Sequence, residues 1–183
     1  MFIQEYEIMK NIVFCFLFIA CFAVNGFAYD IQKIRRDYVE AIKNADVADK
    51  LYKDLKAVKN PSPLIMAYLG SADAVRAKHS WNPVNKMAFL KQGCKTIDKA
   101  VELSPNQLEI RFLRFSLEHF LPPFLGYSKH LDIDKKKIIE LVQKSNVQAL
   151  HVDETILKNM VNFMIDSKRC SEAEVNVLRK VLA

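Results

Sequence analysis

Apolar residues recur at intervals of three and four along most of this chain. Met87, Leu90, Cys94, Ile97 and Val101 make one such series, Ile31, Ile34, Tyr38 and Ile42 a second, and Val47, Leu51, Leu55 and Val58 a third. This is the spacing of side chains along one face of an α-helix, where successive turns bring residues three and four apart into line. Further faces are formed by Leu108, Phe112 and Phe115; by Ile138, Leu141 and Val142; by Ile156, Met160, Phe163 and Met164; and by Val175, Leu178 and Leu182. The pattern predicts an all-α fold of about eight helices with short connections, which makes antiparallel helical hairpins stacked as a solenoid or closed as a bundle. Tight β-hairpins lack their usual residues, because the chain has 4 glycines and neither an Asn-Gly nor an Asp-Gly pair.

Prolines and capping residues place the helix starts. Ser62-Pro63, Asn82-Pro83 and Ser104-Pro105 each read as an N-cap followed by the first helical position. Ser104 with Gln107, and Ser171 with Glu174, have the spacing of a capping box. Starts are therefore expected near 62, 82, 104 and 171, with Asp46, Asp132 or Asp134, and Asp153 as caps elsewhere. Paired carboxylates at those points complement the positive end of a helix dipole, which accounts for them without catalysis. The first two helices are expected to pair antiparallel about Asn44 to Asp46. Between Pro63 and His79, Ala67, Gly70, Ser71, Ala72, Ala74 and Ala77 leave room for a neighbouring helix to approach closely. Pro122-Pro123 ends a helix, and Phe124-Leu125-Gly126-Tyr127 is apolar enough to be expected back against the core.

The stretch from Ser62 to Pro105 resembles a tetratricopeptide-type repeat. It has Leu69-Gly70 in a first helix, then Gly93, Ile97 and Ala100 in a second that closes Val101-Glu102-Leu103-Ser104-Pro105, and Ala100 and Pro105 match that family's Ala-x-x-x-x-Pro ending. It departs in length, since Pro63 to Pro105 is longer than the regular repeat of about 34 residues. The segment from Ala67 to Lys135, with Ala77-Lys78-His79, Asn82-Pro83, Glu109-Ile110-Arg111-Phe112-Leu113-Arg114-Phe115 and Phe124-Leu125-Gly126-Tyr127, is also similar to an uncharacterised family of small exported bacterial proteins. These resemblances imply a tetratricopeptide-like helical fold and an envelope location, and they carry no activity.

The N-terminus reads as a targeting segment. Met9-Lys10-Asn11, an apolar stretch from Ile12 to Val24, and Asn25-Gly26-Phe27-Ala28 have the order of a signal peptide, with cleavage after Ala28. The stretch is shorter than the roughly 20 residues that span a bilayer. Glu5 and Glu7 have the wrong sign for the leading region, so the expected true start is Met9. Lipidation at Cys21, after Phe18-Ile19-Ala20, is the other processing route. The expected layout is thus a signal peptide over 1–28 and one helical domain over 29–183, exported to the periplasm or cell envelope.

With 51% apolar and 26% charged residues, a chain of 183 has the make-up of an ordered globular protein. Removing Glu5, Glu7 and Lys10 from the 27 basic and 21 acidic residues leaves a mature charge of +7. That charge is spread along the chain, with Lys135-Lys136-Lys137 its one run, so no nucleic-acid stripe is expected. Export makes a disulfide between Cys94 and Cys170 chemically accessible, but Cys94 sits on an apolar helix face, where an unpaired thiol packs as a small hydrophobe.

Arg111 and Arg114, three residues apart, share one helix face and suit bidentate bonding to a carboxylate or phosphate. The structural alternative pairs Arg114 with Glu118. Lys78, His79, Trp81, Tyr127 and His130 fall at helix ends, where they would border a groove with the two arginines. His79, His119, His130 and His151 lack the i, i+4 spacing of a helix-borne zinc site, so neither metal nor cofactor is expected. Without a Gly-x-Ser-x-Gly or a glycine-rich phosphate loop the chain reads as a non-enzyme. The leading expectation is a cell-envelope scaffold that binds a protein or peptide partner through a helix-lined groove. A carrier of an anionic small molecule or envelope polymer is the alternative.

Overall fold

A computed structural model describes residues 30–144, 150 and 152–181; the expected signal segment, the Met9 start and Cys21 lie outside the described residues. Eight α-helices and no strand occur among those described: α1 (Ile31–Ala41), α2 (Ala45–Lys56), α3 (Pro63–His79), α4 (Pro83–Leu103), α5 (Leu108–Phe120), α6 (Leu131–Lys144), α7 (Glu154–Asp166) and α8 (Glu172–Val181). The all-α expectation therefore holds. No described helix is long and apolar enough to cross a membrane.

Several caps act as their sequences require. Ser62 Oγ accepts from the Ile65 N–H at 3.3 Å, and Asn82 Oδ1 accepts from Val84 and Asn85, each ahead of a proline. At α8 the reciprocal box is complete, because Glu174 accepts from the Ser171 N–H at 2.8 Å while Ser171 Oγ accepts from the Glu174 N–H at 3.3 Å. Such a side-chain cap is worth about 1 kcal/mol.

Other starts differ from expectation. Ser104 closes α4 instead of opening α5, which begins at Leu108 after a turn and has Gln107 at its cap without a side-chain bond. The cap of α2 is Asn44, whose Oδ1 takes the N–H groups of Asp46 and Val47, so Asp46 is inside the first turn. Helix α6 starts at Leu131, and Asp132 and Asp134 both lie within its first turn.

Helices α3 and α4 are the most intimate pair, and glycine explains it. A methyl group added at Gly93 would come within 2.6 Å of the Gly70 carbonyl oxygen, and one added at Gly70 within 2.7 Å of the Gly93 carbonyl. The backbones touch where the small-residue run anticipated a close approach. Helix α2 packs on α3, α5 on α3, α4 and α6, and α8 on α6 and α7. Leu108 and Phe115 of α5, Ile138 of α6, Leu157, Met160, Val161 and Met164 of α7, and Leu178 of α8 make a common core.

Helix α1 is joined to α2 by a short turn, and the charge of Asp37 on α1 acts on Lys50 of α2. Helix α1 also lies against α3 and α5, with Tyr38 edge-on to Tyr68 at 5.6 Å between ring centroids. Its two last carbonyls are taken by α3: His79 Nε2 meets the Ala41 oxygen and Lys78 Nζ donates to the Ile42 oxygen, both at 2.8 Å. A helix end leaves such carbonyls orphaned unless a neighbour supplies donors. Phe124 also departs from expectation. In the short turn Pro123–Leu125 it is 85% exposed, because Gly126, at φ 72°, turns the chain away.

Candidate functional site

Buried charge is concentrated in two places. In the first, α1 meets α5. Arg35 Nε donates to Glu109 Oε1 at 2.8 Å and Nη2 to Oε2 at 2.6 Å, a bidentate pair with both side chains over nine-tenths buried. Tyr68 Oη donates to the same Glu109 Oε1 at 2.6 Å. Burial, then the charge of Glu109, raises the Tyr68 pKa, and the hydrogen bonds that Arg35 donates to Glu109 raise that of Arg35. Nearby, burial pushes the Tyr38 phenol up to about 12. All three shifts favour the protonated forms of Arg35, Tyr68 and Tyr38 at neutral pH.

This cluster is the polar floor of a groove of about 810 Å³ enclosed by α1, α3, the start of α4, α5 and α7. Its walls are apolar, including Leu90, Phe112, Leu113, Leu117, Met160 and Phe163. Val39, Ile42, Met87 and Phe120 continue the apolar surface into solvent at the mouth. Exposed hydrophobic groups gathered at one opening mark a binding surface more strongly than the same groups scattered singly.

The second concentration joins α4, α5 and α6. Arg114 Nε and Nη2 donate to the two oxygens of Asp134 at 2.7 and 2.8 Å, and Arg111 Nη1 donates to Asp134 Oδ1 at 2.8 Å. Arg114 Nη1 also reaches Asp98 Oδ1 at 3.0 Å. Beside them Glu118 accepts from the His130 backbone N–H at 2.7 Å and meets His130 Nδ1 at 2.6 Å. The two arginines thus hold a carboxylate bidentately as their spacing allows, but it is Asp134 of this chain. The expected Arg114–Glu118 pair is replaced, because α6 brings Asp134 to the arginines and places His130 on Glu118.

A cavity of about 690 Å³ opens beside this network and is lined by Cys94, Asp98, Glu118, Tyr127 and His130, with Lys91, Lys95, Lys99 and Lys129 in its wall. Burial, with Asp98 and Glu118 adding to it, raises the Cys94 thiol to about 12, which favours the protonated thiol at neutral pH. Cys94 and Cys170 are both free thiols.

The seven residues singled out in the sequence therefore do not border one groove. Lys78 lines the apolar groove, Tyr127 and His130 line the second cavity, and Arg111 and Arg114 stand behind it. His79 caps α1, and Trp81, 99% exposed, touches neither opening. Sequence reasoning missed Arg35, Tyr68, Glu109 and Asp98, and gave Glu118 and Asp134 other roles, as a partner for Arg114 and as a helix cap. A signal existed for some of them: Asp134 falls at the core-facing spacing of Leu131, Ile138 and Val142, and Glu118 continues the line of Ile110 and Arg114. A charge at an apolar position needs a partner, and that alone marks it for attention. Compared with protein-family models, with curated proteins and with solved structures, the chain matches none.

Proposed function

We propose that this protein is a non-catalytic binding scaffold whose apolar groove takes an apolar face of a protein or peptide partner. The observation that carries this reading is the groove between α1, α3, α5 and α7, whose apolar walls run out to an exposed rim at Val39, Met87 and Phe120. Its floor charges are matched to one another, since Arg35, Glu109 and Tyr68 complete their bonds internally. A ligand consequently gains little from an ionic head group there, and apolar side chains carry the affinity. Lys78 and Lys86 at the edge favour a segment with acidic flanks. The leader-like N-terminus supports the cell envelope as the place of action.

A photo-crosslinking residue placed at Phe120 of the full chain, in cells, tests the reading. Expected are adducts with one protein partner that disappear when Val39→Glu and Met87→Glu are added, with helical content unchanged by circular dichroism. Capture should survive a rise to about 0.5 M salt, because apolar contact is not screened. Binding that fades steeply with salt favours the anionic-ligand carrier instead. Adducts that ignore both glutamates overturn the groove.

A further inference from the structure

The turn ahead of α6 carries His130 to two carboxylates from other helices, Asp98 of α4 and Glu118 of α5. We propose that Asp98, Glu118 and His130 form a site for one divalent transition-metal ion of the zinc class, open to the second cavity. One ligand atom from each residue lies within 4.8 Å of the others. His130 Nδ1 stands 2.6 Å from Glu118 Oε1 and 3.6 Å from Asp98 Oδ1. A tetrahedral ion with bonds of about 2.0–2.1 Å holds its ligands roughly 3.3 Å apart. Reaching that spacing lengthens the His130–Glu118 contact by about 0.7 Å, shortens the His130–Asp98 contact by about 0.3 Å, and draws the two carboxylates in from a separation of at most 4.8 Å.

Charge gives a second, independent reason. Glu118 is 4% exposed, and among the described residues its carboxylate is met by His130 and by no lysine or arginine within salt-bridge distance. Arg111 and Arg114 are set against Asp134 and Asp98, which uses their two charges. A carboxylate this deeply buried, facing a nitrogen ligand and lacking a permanent cation, is in the condition that a bound cation relieves.

The surroundings fix the donors in place. Arg114 bridges Asp98 to Asp134, and the His130 backbone donates to Glu118 Oε2 at 2.7 Å while its carbonyl accepts from the Asp134 N–H at 2.8 Å. Such outer bonds orient metal ligands and commonly alter affinity 10- to 100-fold when removed, by about that order. The cavity of about 690 Å³ leaves the remaining coordination positions to water. One imidazole nitrogen and two carboxylate oxygens suit zinc or cobalt, whereas calcium takes six to eight oxygens. Lys91, Lys95, Lys99 and Lys129 in the cavity wall oppose a cation, but all four are exposed to solvent, where screening weakens their effect.

The test uses the full chain without an affinity tag, titrated with Co²⁺ by visible absorption and with Zn²⁺ by calorimetry. One equivalent per chain is expected, with affinity at least roughly tenfold weaker in Glu118→Gln and in Asp98→Asn, which keep shape and remove charge. His119→Gln is expected to bind as the parent does. Circular dichroism confirms that each variant is folded, and an unfolded one is replaced by His130→Gln for the same comparison. No saturable binding, or binding unchanged in all the folded variants, overturns the site. The outcome is separate from the groove reading, whose crosslink lies on the other opening.

Discussion

Protonating His119 would set two cations against each other. Arg169 Nε donates to His119 Nδ1 at 2.9 Å, which requires that nitrogen to keep its lone pair, and Phe120 and Phe163 pack on the ring. Burial first, then Arg169, lowers the His119 pKa from its ordinary 6.5. A lowered pKa means that the folded state resists the proton more than the unfolded chain does. Its contribution to stability is therefore complete above pH 6.5 and is lost as pH falls through the lowered value. An NMR titration of the ring is expected to give a midpoint below 6.5, and His119→Gln to reduce the acid-side loss of stability; a midpoint at or above 6.5 contradicts the geometry. At this scale the sequence was legible for one half of each interaction. Arg111 and Arg114 could be placed on one face by their spacing, but Asp134 is 20 residues from Arg114 and its arrival depends on how α6 packs. Likewise His130 looked solitary because Glu118 and Asp98 are brought to it by two other helices.

Helices were legible where the signal is local. A serine or asparagine before a proline acts within one turn, so Ser62 and Asn82 cap as read, and so does the box of Ser171 and Glu174. Ser104 failed because it serves the preceding helix: its N–H still closes onto the Ala100 carbonyl at 3.0 Å. The small residues of α3 were readable as a contact surface and Gly93 as a small residue of the repeat-like second helix, while the approach of each glycine to the other's carbonyl became visible in the fold. Their contact supports a prediction about these two elements. Gly93→Ala would drive a methyl into the Gly70 carbonyl and the Ala74 amide, both backbone atoms that cannot rotate aside. The gain in helix propensity, about 1 kcal/mol, is smaller than the cost of pushing the helices apart, about 1–3 kcal/mol or more. Urea unfolding followed by circular dichroism is expected to show a lower midpoint for Gly93→Ala, and an unchanged or higher midpoint refutes the close contact.

Across the whole molecule, Arg35 ties the first described helix to segments far along the chain. Its partners are Glu109, 74 residues on, and Asp153, which it approaches at 3.5 Å from 118 residues away. No periodicity in the sequence can show such a link. Arg35→Met would leave Glu109 buried with its hydroxyl donor Tyr68 and no cation, a loss of about 3–5 kcal/mol. Adding Glu109→Leu to Arg35→Met is expected to restore most of the melting temperature, because the uncompensated charge is then gone. A double variant no better than the single one would mean that α1 is held by something other than this pair. The choice of probe for these measurements follows from Trp81. It is the chain's 1 tryptophan and is 99% exposed in the folded protein, so its indole meets bulk water before and after denaturation. A flat emission trace during unfolding would record that residue's address on the surface, and says nothing against a cooperative transition in the rest of the protein.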